Sequence, residues 1–323
     1  VKVVIPDDYQ RVVRGLDCFS RLRDFEVEVY HDSVASMDTL VERFASADAL
    51  VLTRERSCID DALLARLPQL KLISQTGKVA AHIDVAACHR RGVVITEGTG
   101  SPVAPAELSW ALIMAAMRGL VPAVNGMQQG RWQVNIGDCL AGKTLGIWGF
   151  GKIGRRLARY AEAFDMKVLV WGRDDSRRAA AHMGLGVAAS KDDFFARSDV
   201  LSLHVRLNAD TRGLVHYEDL IRMKANALFV NTSRAELVQP GALQRALQFG
   251  RPGRAALDVY EQEPVIDADY WALKMDNVLC SPHLGYVERE GYELYFGQAF
   301  ENLVAFFDGR PVNVLAPPTG ESG

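Results

Sequence analysis

The stretch LGIWGFGKIGRRLARY, residues 145–160, narrows the possible folds sharply, because an apolar run, three glycines and a helical pattern follow one another in fixed order. Gly149, Gly151 and Gly154 stand in G-x-G-x-x-G spacing. In such a turn the first glycine permits the tight bend, the second lets a pyrophosphate approach the backbone, and the third lets helix and strand pack closely. The segment Gly149, Phe150, Gly151, Lys152, Ile153 and Gly154 is therefore a candidate cofactor-binding turn, with a helix expected over 152–164. Its amides and the positive end of the helix dipole would face the phosphates of a dinucleotide. A plain tight turn is the alternative, and the βαβ series around it favours the dinucleotide.

That series runs through both halves of the chain. In the first hundred residues, strands are expected at 1–5, 25–30, 49–53, 70–74 and 93–96, with helical patterns near 36–46, 60–66 and 82–91. A second set of six strands, at 143–149, 167–171, 199–205, 227–233, 254–259 and 277–281, alternates with helices near 152–164, 216–223 and 240–248. Alternation of this kind implies parallel sheets with helices on both faces, so the expected class is α/β with two doubly wound domains. A chain of 323 residues also exceeds what one core comfortably fills. From Ser101 a proline-flanked segment leads into a helix apolar nearly all round, read as the domain connection. The helical tail from about Gly291 has no strand partner in its own half and is expected to pack on the first domain. The expected division is 1–100 plus 286–323, and 101–285.

Composition excludes some functions. A net charge of −3 offers no broad basic field for nucleic acid. The five cysteines are scattered without a CxxC pair or zinc-like spacing, which predicts no metal site and fits the reduced thiols of a cytosolic protein. The most apolar run, Trp110 to Met117, falls short of the ~20 residues that span a bilayer, so no membrane role is expected. No signal-peptide pattern opens the sequence, and the tail Pro317 to Gly323 is expected to be mobile.

The second strand of a dinucleotide fold delivers an acid to the adenosine ribose about 20 residues past the glycines. Counting from Gly154 reaches Asp174, which favours NAD(H), but the strand VLVW ends at Trp171 and its tip is Gly172 followed by Arg173. A guanidinium there can pair with a 2′-phosphate, which favours NADP(H) with NAD(H) still possible. Alternatively, Arg173 pairs with Asp174 or Asp175 in a solvated turn.

Three polar groups follow three successive strands of the second half: Arg234 after ALFVNTS, Glu263 beyond ALDV, and His283 after NVLCS. Ligands of doubly wound sheets bind outside the carboxyl ends of strands. Hydride delivered to a carbonyl carbon leaves charge on oxygen, and a histidine is suited to supply the proton. Glu263 would fix the tautomer of His283, and Arg234 would grip a substrate carboxylate. Each residue alone has a structural reading; their joint placement favours chemistry.

The ordered motifs SQTGKVAAHIDVAACHRRGV, APAELSWALIMAAMR, GKTLGIWGFGKIGRRLA, HVRLNADTRGLV, MKANALFVNTSRAELV, ALDVYEQEP and SPHLGY together resemble the D-isomer-specific 2-hydroxyacid dehydrogenase family over nearly the whole chain. The resemblance implies a flavodoxin-like substrate domain, a Rossmann NAD(P)-binding domain, and a catalytic Arg, Glu and His at Arg234, Glu263 and His283. It implies that Asp258 helps hold the nicotinamide carboxamide and that His204, Val205, Arg206, Thr232 and Ser233 line the cofactor. Thr211 would lie near the adenine, and Gly285 among the cofactor contacts. The loop Gly77, Lys78, Val79 would bind the substrate carboxylate through its amides. Family members are usually homodimers, joined through the helix that begins near Ala104, here over about 104–118.

Some residues depart from the family pattern. Ala235 follows Arg234 where glycine is usual, and Tyr286 and Glu288 replace a small residue and Thr. Lys78 suggests a strongly anionic substrate, as in a phosphite-type dehydrogenase, or is a solvent-facing lysine. Arg54, after the third strand, either faces the cleft or is a simple surface charge. The leading expectation is reduction of a small 2-keto acid such as glyoxylate or hydroxypyruvate, or the reverse oxidation of a 2-hydroxy acid. The alternative class is a dinucleotide-binding sensor or corepressor-like scaffold.

Overall fold

The computed structural model describes residues 1–34 and 36–317; the tail expected to be mobile lies, beyond Pro317, outside the described residues. The chain divides into two compact units, Val1–Ser101 with Glu288–Gly323, and Pro102–Val287.

The first unit holds five parallel strands: β1 (Lys2–Ile5), β2 (Glu26–Val29), β3 (Ala49–Leu52), β4 (Leu72–Gln75) and β5 (Val94–Thr96), in the order β2-β1-β3-β4-β5. β3 and β4 are buried throughout, as expected of strands covered on both faces. On one face Val4, Leu50, Leu52, Ile73 and Ile95 meet Phe44, Leu63 and Cys88 from the covering helices. The helix Arg289–Phe307 packs on β3 and β4, and Ser74 Oγ donates to the carbonyl oxygen of Ala299 at 2.8 Å.

The second unit holds seven parallel strands rather than the six expected. They are β6 (Thr144–Trp148), β7 (Lys167–Trp171), β8 (Gly186–Val187), β9 (Val200–Leu203), β10 (Leu228–Asn231), β11 (Arg254–Leu257) and β12 (Val278–Cys280). Their order is β12-β11-β10-β9-β6-β7-β8, so the chain starts at the middle, moves to one edge, then crosses back: the Rossmann arrangement. The missed strand β8 is two residues long and carries no periodicity to read. Successive residues point to opposite faces of the sheet. Trp148, Leu169, Leu201, Phe229 and Leu257 lie in one apolar cluster, while Ile147, Val170, Val200, Val230 and Ala256 lie in the other. The helix Val103–Arg118 packs on β10, β11 and the helix Lys152–Ala163, so it belongs to this unit. It stops at Gly119, whose φ of +58° caps it, and Leu120–Gln128 continues at a 64° bend. Among the described residues no single helix is long and apolar enough to cross a membrane.

Candidate active site

The glycine turn sits at the end of β6. The Gly149 N–H donates to the Trp171 carbonyl at 2.9 Å and ties the tips of β6 and β7 together. A Cβ at Gly149 would collide with the His204 carbonyl oxygen, and one at Gly154 with the carbonyl of Gly149, so packing excludes side chains at both. A Cβ at Gly151 would meet only open space. Gly151 also begins the helix Lys152–Ala163 without a side-chain cap, which leaves the first helical amides to an anion. Close packing at two glycines and open backbone at the third fit a dinucleotide pyrophosphate. Phe150 is buried, Ile153 half-buried and Lys152 exposed.

The other residues read as cofactor lining divide. Val205 is half-buried and Arg206 exposed. His204 offers its backbone to Gly149, while its imidazole Nε2 lies 2.8 Å from Ser202 Oγ and burial pushes its pKa down to about 4. Thr211 Oγ1 donates to the Arg206 carbonyl and accepts from the Asn208 N–H, each at 2.8 Å, so it closes its own turn. Thr232 Oγ1 is 2.7 Å from Ser109 Oγ, and Ser233 Oγ donates to the Leu203 carbonyl at 2.7 Å. Each of these three hydroxyls is engaged by a protein group.

At the end of β7, the helix Asp174–His182 begins directly after Arg173, where a solvated turn was one reading. Asp174 and Asp175 pair with Arg177 and Arg178, one turn further along the helix. The Arg177 guanidinium holds the Asp174 carboxyl below its ordinary range. Neither acid pairs with Arg173, which corrects the alternative in which they neutralise it; Arg173 has no ion-pair partner among the described residues. A surface depression of about 470 Å³ is lined by Arg173, Asp174, Asp175 and Arg178.

β10, β11 and β12 are neighbours in the sheet, with Asn231 opposite Leu257 and Leu257 opposite Cys280. Their following segments carry Arg234, Glu263 and His283. Buried Asn231 clamps the first: its Nδ2 donates to the Arg234 carbonyl at 2.8 Å and its Oδ1 accepts from the Ser233 N–H at 3.0 Å. The Arg234 side chain is half-buried, and its Nη1 donates to the Ser233 carbonyl at 2.7 Å. Glu263 uses both oxygens. Oε1 accepts from the Tyr260 N–H at 3.0 Å, and Oε2 lies 2.5 Å from His283 Nδ1. This pairing assigns the Nδ1–H tautomer to neutral His283 and leaves Nε2 as the ring nitrogen away from the carboxylate.

His283 adopts a φ of +51°, a left-handed conformation that costs a non-glycine residue about 1 kcal/mol or more. Asp258 holds that turn. Fully buried, it accepts from Ser281 Oγ at 2.6 Å and the Leu284 N–H at 2.7 Å through Oδ1, and from the Gly285 N–H at 2.9 Å through Oδ2. Burial raises the Asp258 carboxyl above its ordinary range, against the opposing pull of those hydrogen bonds. Asp258 and Gly285, read as cofactor contacts, also bond to each other and fix the backbone on which His283 stands. Sequence reasoning missed this because the donors lie 23 to 27 residues downstream.

In the first unit, Arg54 also has a positive φ, +54°. Its N–H donates to Thr76 Oγ1 and its carbonyl accepts from Gln75 Nε2, each at 2.8 Å. Its guanidinium lies over the Tyr295 ring, 5.4 Å from the centroid, and against Gly77, where a Cβ would strike it. Arg54 is therefore an ordered, half-buried group of the Gly77 loop and not a simple surface charge. Lys78 is solvent-facing, as one reading had it, but its charge is paired. Its Nζ is 2.5 Å from Glu97 Oε1, while Glu97 Oε2 accepts from the Val79 N–H at 3.0 Å. One carboxylate neutralises the lysine and engages an amide that was expected to serve the substrate. The phosphite-like reading took Lys78 as an uncompensated cation, whereas here Glu97 balances its charge.

Residues 110–285 match the family D-isomer specific 2-hydroxyacid dehydrogenase, NAD binding domain. Over 314 residues the chain is 36% identical to a glyoxylate reductase of Aeropyrum pernix, covering 93% of this chain and 92% of that one. A glyoxylate reductase of Thermococcus litoralis is 35% identical over 306 residues, 90% of each chain. Among solved structures, the phosphoglycerate oxidoreductase of Vibrio cholerae O395 is 53% identical with a TM-score of 0.93, covering 95% of this chain and 99% of that one. With its two parallel-sheet domains, glycine turn and matching relatives, this chain belongs to the D-isomer specific 2-hydroxyacid dehydrogenase family, enzymes that carry out 2-hydroxyacid oxidoreduction with a nicotinamide dinucleotide.

Proposed function

We propose that the enzyme interconverts a small 2-keto acid of the glyoxylate or hydroxypyruvate type with its D-2-hydroxy acid, and that it prefers NADP(H). The observation that carries the catalytic reading is the 2.5 Å contact between His283 Nδ1 and Glu263 Oε2, which follow the two strands next to that of Arg234. The dinucleotide, when bound, supplies or accepts the hydride. Arg234 holds the substrate carboxylate and polarises the adjacent carbonyl. In the reduction direction His283 starts as the imidazolium, protonated at both ring nitrogens, and gives the Nε2 proton to the carbonyl oxygen as charge develops there; the neutral Nδ1–H tautomer that remains takes a proton back at Nε2 in the reverse direction. Glu263 keeps the imidazole in the tautomer that leaves Nε2 for this task and stabilises the imidazolium. Its Tyr260 N–H bond holds the carboxylate in place meanwhile.

The cofactor preference rests on Arg173, which stands beyond Gly172 while the neighbouring Asp174 and Asp175 pair with Arg177 and Arg178, at the start of a helix whose dipole favours a phosphate. Neutralisation of Lys78 by Glu97 supports an unphosphorylated substrate over a more highly charged one. A homodimer is the proposed assembly, with the helix Val103–Arg118 and its continuation at the interface. Exposed Leu120, Met127, Trp132 and Ile136, the last two 75% and 100% exposed, give such an interface its apolar core. The scattered reduced cysteines support a cytoplasmic location.

The test is a matrix of initial rates: glyoxylate, hydroxypyruvate, pyruvate and a phosphorylated 2-keto acid, each with NADH and NADPH, for the wild type and His283→Gln. Turnover of glyoxylate or hydroxypyruvate that falls by about 10²-fold or more in the variant, with dinucleotide affinity retained, is the expected result. Tight dinucleotide binding without turnover of any keto acid would refute it.

A further inference from the structure

The contacts described above fix His283 incompletely. Asp258 determines the backbone of the turn, and Glu263 holds one atom of the imidazole, Nδ1. A single hydrogen bond leaves the ring free to rock about that contact, and Glu263 is itself one-third exposed. What restrains the plane of the ring is a third group. Tyr286 stacks on His283 with ring centroids 5.3 Å apart and planes at 76°, an edge-to-face pair. Unlike Glu263, Tyr286 is buried, 8% exposed, and stands one residue beyond Gly285, which Asp258 holds. It is thus a rigid wall and not a mobile surface aromatic.

The geometry points to Tyr286 as a positioning residue that orients the imidazole of His283 and so aims Nε2 during proton transfer. Glu263 supplies a point and Tyr286 a plane; together they determine the ring's orientation, which neither does alone. The inference rests on the reading of His283 as the proton donor. It assigns the acting part of Tyr286 to its ring, not its hydroxyl, because the ring is what touches the imidazole.

The experiment compares Tyr286→Phe, Tyr286→Leu and Tyr286→Ala with the wild type in keto-acid reduction at saturating dinucleotide, with His283→Gln measured alongside. Tyr286→Phe should keep kcat within about 2-fold. Tyr286→Leu, which retains bulk without an aromatic edge, and Tyr286→Ala should lower kcat about 10-fold, the order expected for loss of an aromatic pair. The solvent deuterium isotope effect on kcat should rise in both, as proton delivery becomes the slower step, while NADPH affinity measured by fluorescence stays unchanged. A Tyr286→Phe as impaired as Tyr286→Ala would overturn the proposal in favour of the hydroxyl. A rise in KM for the keto acid with kcat intact would overturn it in favour of a pocket wall. If His283→Gln is inactive and the Tyr286 variants are normal, only this inference fails; an active His283→Gln removes the acid reading beneath it.

Discussion

Replacing Arg173 by alanine tests the cofactor preference most directly. Around the tip of β7 stand three cations, Arg173, Arg177 and Arg178, and two anions, Asp174 and Asp175, each anion already paired with one of the last two arginines. Removing Arg173 therefore takes the local balance from +1 to zero and removes the one guanidinium there with no partner. A hydrogen bond between ionised groups contributes roughly 1.5–3 kcal/mol when shielded from water. Arg173 is exposed, so solvent and salt reduce this to about 1–1.5 kcal/mol. The KM for NADPH should rise about 5- to 12-fold, while that for NADH, which lacks the 2′-phosphate, should change by less than about 2-fold. Initial rates at saturating keto acid with each cofactor, repeated at low and raised ionic strength, measure both numbers. The NADPH effect should shrink with salt. An equal change for the two cofactors, or a salt-independent one, would refute the 2′-phosphate contact.

Three further outcomes are expected elsewhere in the molecule. Asp7 is buried, accepts from Ser57 Oγ at 2.6 Å, and has its carboxyl raised above the ordinary range by burial. The folded state therefore binds its proton more tightly than the unfolded chain does, and stability falls as pH rises through the folded value. Asp7→Asn, which tolerates the local φ of +65°, should raise Tm by a few degrees at pH 7 and by progressively less towards pH 4; a constant difference would contradict the cause. Burial pushes the thiols of Cys18 to about 12 and Cys88 to about 11, whereas Cys58 and Cys139 are exposed. An aromatic disulfide reagent at pH 8 should label Cys58 and Cys139 first and reach Cys18 and Cys88 only on unfolding, as read by mass spectrometry. Finally, Ile136→Asp with Met127→Asp should shift sedimentation from dimer to monomer, and unchanged sedimentation would remove that face from the interface.

The parts legible in the sequence were those governed by local geometry. The glycine turn could be read because its spacing encodes contacts made within one βα unit. The placement of Arg234, Glu263 and His283 beyond neighbouring strands could be read because each follows its own apolar strand. The helix Asp174–His182 escaped notice because DDSRR reads as a solvated turn; its two acids in the first turn in fact suit the helix dipole. The structural bonds of Asp258 could not be read because its partners come from the next strand's loop. The fates of Lys78 and Arg54 depend on Glu97 and Tyr295, brought in from 19 and 241 residues away, and no local pattern records such meetings.

The adjacency of β10, β11 and β12 bears on how an enzyme of this kind changes its substrate. Neighbouring strands lie about 4.8 Å apart, a distance set by main-chain hydrogen bonds and indifferent to side-chain identity. The tips from which Arg234 and His283 depart are two such steps apart, so their separation of origin, roughly 10 Å, is inherited from the ladder. Mutation cannot easily stretch that ruler. Drift in specificity must come from what is mounted on or opposite it, so the spacing of the reacting groups persists while the acid being reduced is free to vary.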